Sequence, residues 1–119
     1  MRSTDTIVNG IWEPSENMKI RHNGETVSIS GIAELGASNS RSFAATLSAA
    51  LPLDVGQIEI DLSETGFLDC GGVGALIALR NCARRRNGKV IIRLLNPTPP
   101  VRHIFKLTHM DRIFPIERR

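Results

Sequence analysis

At 119 residues, 41% hydrophobic and 23% charged, the chain has apolar side chains enough for one domain with a core and too few residues for two. No apolar run approaches the ~20 residues of a membrane-spanning helix. A formal net charge of +3 conceals a division, with four Lys/Arg against ten Asp/Glu over residues 1–79 and eleven against two over residues 80–119, a polarity that points to a charged partner or to steering of one.

Residues 1–16 carry one arginine, Pro14 and mixed polar side chains. They lack the apolar core and small-residue cleavage pattern of a signal peptide, and read as an N-terminal extension to a domain over residues 17–119, with the cytoplasm as the expected compartment. Asn23-Gly24, between Met18 and Ile20 on one side and Val27 and Ile29 on the other, predicts a hairpin whose two turn positions both favour positive φ. Phe43, Leu47 and Leu51 recur at helical spacing with Pro52 just beyond, which predicts a helix over 39–51. Ile58, Ile60 and Leu62 alternate with Gln57, Glu59 and Asp61, the pattern of a strand.

A second helix is predicted over 72–87, stopped by Gly88. "KVIIRLL", residues 89–95, is nearly continuously apolar, as expected of a central strand buried on both faces. Strand, helix and strand then make a βαβ unit with parallel pairing and a right-handed crossover. Thr98 as cap, Pro99 and Pro100 in the first turn, and Val101, Ile104, Phe105 and Leu107 as packing residues predict a third helix. "RIFPI" reads as a short edge strand, because Pro115 has no donor for a ladder.

The junction "FLDCGGVGALIALRNCARRR" carries the functional reading. Asp69 is suited to cap a helix beginning near Gly71 or Gly72. Gly71, Gly72 and Gly74 remove side chains where the backbone turns and where another group approaches closely. At about 100° per residue, Leu76, Leu79 and Ala83, with Ala75, Ala78 and Cys82 beside them, face the sheet. Arg80, Asn81 and Arg84 mark the solvated side, and Cys70, Val73 and Ile77 fall there with them. Two apolar side chains beside three glycines, flanked by arginines, make an exposed patch of the kind that contacts a protein.

Other chemistry is weakly signalled. Cys70 reads either as a redox-sensing thiol or as a small residue in a serine-sized site. It stands roughly 18 Å along the helix from Cys82, too far for a disulfide. No second carboxylate or histidine is fixed near Asp69, so a cap outranks a catalytic acid. "CGGVG" lacks the Gly-Lys-Ser/Thr ending of a phosphate loop and fails the GxGxxG spacing. His22, His103 and His109 show no metal-ligand spacing. "RRRNGK" is read as a solvated helix end rather than a nucleic-acid contact, since aromatics are 4% and tyrosine is absent.

Taken in order, "IEIDLS", the junction and "LLNPTPPVRHIFKLTHMDRIFPI" resemble the STAS domain, typified by bacterial anti-sigma factor antagonists. The resemblance runs from about Met18 to Ile116 and is most specific at Asp61-Leu62-Ser63, at 69–74 and at 96–116. It implies an α/β fold, a single STAS domain with a mixed four- to five-stranded sheet and packed α-helices. It also implies a non-enzymatic regulatory module without cofactor or metal, which captures an anti-sigma factor or serine-kinase-type partner and does not bind nucleic acid directly. The contact set implied is Asp69, Cys70, Gly71, Gly72, Val73, Gly74, Ile77, Arg80, Asn81 and Arg84. In the antagonists, the residue after the junction aspartate is a serine whose phosphorylation adds a charge of about −1.5 to −2 and opposes docking. Here that phosphoacceptor-equivalent position is Cys70, and Gly71 stands where Ser or Thr is frequent. Two alternatives remain: the STAS subunit of an ABC-type lipid transport complex, whose Asp-Thr-Gly-Gly junction "DCGG" resembles and which docks on an ATPase, or a redox or ligand sensor using Cys70. Pairing of two copies as a homodimer is left open.

Overall fold

A computed structural model of the chain describes residues 18–119, so the extension read at 1–16 lies outside the described residues. In chain order the elements are β1 (Lys19–Asn23), β2 (Thr26–Ser30), β3 (Glu34–Leu35), α1 (Ser40–Ala50), β4 (Gln57–Asp61) and β5 (Phe67–Leu68). They continue with α2 (Cys70–Arg86), β6 (Ile91–Leu95), α3 (Pro99–Leu107), a 3-10 turn (Met110–Arg112) and β7 (Ile116–Glu117). A five-stranded sheet runs β1-β2-β4-β6-β7, antiparallel at its first pair and parallel thereafter. The mixed sheet is the one expected. Two short strands escaped the sequence reading: β3 and β5 pair in parallel as a separate two-stranded sheet.

The hairpin is present, but its turn sits one residue later than the Asn-Gly pattern predicts. Asn23 pairs with Thr26, leaving Gly24 and Glu25 as the central residues. Only Gly24 has positive φ, +64°, the pattern of a type II′ turn, which needs glycine at its first central position alone.

Alternation along the strands sorts the main sheet into two unlike faces. Val27 lies beside Ile58 and Ile58 beside Ile92, while Ile29 lies beside Ile60 and Ile60 beside Leu94. All six are buried in one cluster with Phe43 and Leu47 of α1 and Leu76, Leu79 and Ala83 of α2. The opposite face carries Ser28, Glu59 and Arg93 side by side. The expectation that β6 is buried on both faces is therefore wrong. Ile91 is exposed, and Arg93 is held over the polar face by Gln57 Oε1 at 2.9 Å and Glu117 Oε2 at 3.1 Å. A strand central in hydrogen-bond order need not be covered on both sides.

The helices match their predicted positions, with informative departures. α2 begins at Cys70, two residues earlier than read, and ends at Arg86. Arg86 is more than a solvated end: its guanidinium donates to Leu51 O at 2.6 Å and Ser48 O at 2.9 Å, satisfying carbonyls at the C-terminus of α1. Thr98 occupies the cap position of α3, yet its hydroxyl donates to Thr65 O at 2.7 Å instead of to its own helix. Leu107 does not pack inward, since two residues on a helix turn it about 200° away from buried Phe105. Of "RIFPI", only Ile116 belongs to a strand; Phe114 is core, and Pro115 contributes its carbonyl to Leu94 N–H.

Thr65 is the buried polar side chain of the described residues, and it locks the β4–β5 loop. Its hydroxyl donates to Ile32 O at 2.6 Å, and its carbonyl accepts from Thr98. Thr65→Val, nearly equal in shape, leaves the Ile32 carbonyl without that donor, so urea unfolding is expected to show a loss of about 1–3 kcal/mol with an unchanged m-value.

Candidate functional site

The start of α2 is built by one carboxylate. Asp69 has extended backbone, φ −119° and ψ −170°, and stands as the N-cap. Its Oδ1 accepts from Gly72 N–H at 3.1 Å and its Oδ2 from Ala37 N–H at 3.2 Å, so one side chain ties the helix to the loop after β3. The Ala37 N–H, against a smaller opposing effect of desolvation and with help from the N–H groups of Gly72 and Gly71, holds the carboxyl below the usual carboxylate range. With both oxygens engaged by the backbone, Asp69 acts as a brace. The loop has its own clamp: Asn39 Oδ1 accepts from Gly36 N–H at 2.9 Å, and Asn39 Nδ2 donates to Glu34 O at 3.2 Å.

The glycines divide into two kinds. A Cβ on Gly71 would stand 2.6 Å from Ala37 Cα, and one on Gly72 would overlap the Leu35 carbonyl. The close approach expected at these two positions is therefore made by the chain's own β3 loop. A Cβ on Gly74 would meet nothing within 4 Å, and the position is exposed.

That loop also changes which residues face out. Val73, read as exposed, is buried at 9% exposure, and Ile77 is half-buried against the core. The angular reading allowed for one covering layer, whereas β3, β5 and the 35–37 loop also pack at the amino end of α2 and widen its buried arc. Ala78, expected to face the sheet, is exposed instead. The outward line is Cys70, Gly74, Ala78, Asn81 and Arg84, with Arg80 half-buried beside it. Phe67 in β5, three residues before Cys70, is half exposed at 50% and lies in none of the predicted elements. The available signal was an aromatic one residue from an apolar partner, Leu68, in a strand of two residues that alternates outward and inward.

Cys70 is exposed and Cys82 half-buried, and neither is bonded to another cysteine. Among the described residues no group of three or more His, Cys, Asp and Glu gathers as metal ligands do. No helix among them is long and apolar enough to cross a membrane.

Two stability measurements follow from this geometry. Gly72→Ala forces a methyl group into backbone and should cost about 1–3 kcal/mol in urea unfolding, whereas Gly74→Ala meets open space and should gain about 0.5–1 kcal/mol from helix propensity. Asp69 titrates lower in the folded state than in the unfolded chain, so its charged form contributes stability that is complete above the unfolded value. That contribution is lost as pH falls through the folded value. The melting-temperature gap between the parent and Asp69→Asn should accordingly be constant above pH ~5 and narrow from pH ~4 downward.

The arrangement has known counterparts. The fold is similar to that of the unphosphorylated anti-sigma factor antagonist SpoIIAA of Bacillus, with 23% identity, a TM-score of 0.68 and coverage of 83% of this chain and 86% of that one. It is also similar to the protein TM1081 from Thermotoga maritima, at 19% identity, a TM-score of 0.71 and coverage of 84% and 85%. A STAS domain protein from Planctomyces limnophilus compares at 18% identity and a TM-score of 0.71, over 86% of this chain and 90% of that one. At such identities these likenesses establish the fold. The family described as Mlab, STAS domain matches residues 18–116, from the residue before β1 to the first residue of β7, and the chain belongs to the STAS domain family.

Proposed function

We propose that the chain is a non-enzymatic regulatory module of the cytoplasm that docks a protein partner on the amino-terminal face of α2. The observation that carries this reading is the exposed strip of small residues Cys70, Gly74 and Ala78, beside half-exposed Phe67, at a helix start locked by Asp69. A flat, rigid strip lets a partner's backbone come close without ordering long side chains, which lowers the entropic cost of association. Asp69, Gly71 and Gly72 shape the site, Val73 and Ile77 support it from beneath, and Arg80, Asn81 and Arg84 extend it along the helix. By resemblance to the antagonists, the partner is an anti-sigma factor or serine-kinase-type regulator. Cys70 takes the place of the phosphoserine, so serine phosphorylation does not switch the contact at that position.

A second reading has an observation of its own. The Gly71 position abuts Ala37 so closely that a side chain there, as in an Asp-Ser-Ser-Gly junction, does not fit this loop arrangement, whereas the Asp-Thr-Gly-Gly junction of lipid-transport STAS subunits, which "DCGG" resembles, keeps a glycine at that position. On that reading the same face docks on a transport ATPase.

Calorimetric titration against the purified anti-sigma factor and the purified transport ATPase of the same genome distinguishes the two. Gly74→Arg should weaken the true partner by at least about tenfold while leaving the melting temperature equal or higher. Cys70→Ser should bind as the parent does, and Cys70→Glu should bind poorly. Undiminished binding by Gly74→Arg, or no binding of either protein by the parent, removes the docking assignment.

A further inference from the structure

A second surface, on α3 and the 3-10 turn, is independent of the α2 strip. Val101 and Phe105 turn inward, and Arg102, His103, Lys106 and Leu107 form the exposed side of α3. The chain then reverses at His109, whose φ is +57°, and plugs Met110 and Phe114 into the core. Between those two anchors Asp111, Arg112 and Ile113 are held outward. Leu107 is 63% exposed and Ile113 36%, so residues 102–113 expose two aliphatic side chains together with three cations and two histidines, with Asp111 as the single acid of the stretch. None of Arg102, Lys106 and Arg112 enters an ion pair or side-chain hydrogen bond among the described residues, in contrast to Arg84 and Arg86, which bind carbonyls of the chain itself.

We propose that this face is a contact for an anionic phospholipid bilayer. Cations on a helix surface are drawn to acidic headgroups, and aliphatic side chains between them gain by entering the headgroup boundary. Nucleic acid would use the cations and leave Leu107 and Ile113 without a partner, since base stacking needs aromatic or guanidinium planes rather than aliphatic ones. A second copy joined face to face about a two-fold axis would crowd both sets of Arg102, Lys106 and Arg112 into one interface, with one Asp111 from each copy to offset them. The charge complementarity therefore selects a bilayer. Attachment is peripheral and reversible: α3 lies on the surface, anchored from below by Val101 and Phe105, and the α2 strip is left to its protein partner.

Flotation of the full chain with lipid vesicles tests the assignment. Binding is expected to vesicles of phosphatidylcholine containing roughly a quarter phosphatidylglycerol and not to phosphatidylcholine alone, and it should weaken as salt rises above about 0.1 M. Lys106→Glu and Arg112→Glu should each weaken binding by at least about fivefold. The double change Leu107→Ser with Ile113→Ser should weaken it without altering the melting temperature, because neither side chain is core. Gly74→Arg should have no effect, which separates this surface from the docking strip. Failure to float with the anionic vesicles overturns the assignment, as does flotation insensitive to both sets of changes. Preference for a single-stranded oligonucleotide over the vesicles, or a dimer in sedimentation dispersed by Leu107→Ser, would reassign the face and overturn it equally.

Discussion

The Asp69 carboxylate is the constraint on which the site depends. It accepts one N–H from its own helix and one from a loop 32 residues earlier in the chain, so the start of α2 and the end of β3 are placed by a single group. The contact it closes is so tight that positions 71 and 72 tolerate no side chain. Charge-assisted bonds to backbone N–H groups are stronger than neutral ones, and the depressed titration of Asp69 has the same origin. The breadth of burial at the helix start follows from the loop that this bridge holds there.

Comparable long-range ties hold the rest of the frame. Thr65 bonds back to Ile32 and receives Thr98, which fastens the loop before the site to the start of α3. Arg86 closes the carbonyl end of α1 from the far end of α2. On the open sheet face, Arg93 and Arg119 share Glu117, and Arg119 also reaches Glu59, so the C-terminal strand is held by charge as well as by its two-residue ladder. Exposed pairs of this sort contribute little singly; their effect is to keep an otherwise short edge strand in register.

This frame puts the two proposed surfaces on different elements. The exposed α2 strip is made of small residues, while the exposed side of α3 and the 3-10 turn carries cations with aliphatic side chains between them. The excess of Lys/Arg after residue 80 thereby acquires a location: Arg84 and Arg86 serve the helix ends, and Arg102, Lys106 and Arg112 are exposed without an ion pair among the described residues. A single net charge for the chain would not have separated these roles.

Much of this protein was legible residue by residue. Periodicity located α1, β4, α2 and α3 to within two residues, because apolar spacing reflects which side of an element meets the core, and the junction Asp-Cys-Gly-Gly marked the cap and family of the fold. Local sequence also specified Gly74, a helical position with no side chain. Tertiary structure alone decided that Gly71 and Gly72 admit the β3 loop, that Val73 turns inward, that Phe67 turns out and that one face of β6 stays polar. The reason is physical: a helical wheel or strand alternation reports two sides of an isolated element, whereas burial depends on how many other segments arrive there. The segment that arrives at α2 is held through Asp69, whose N–H donates to the Leu35 carbonyl and whose carboxylate accepts from Ala37 N–H, bonds that leave no periodic trace in the sequence.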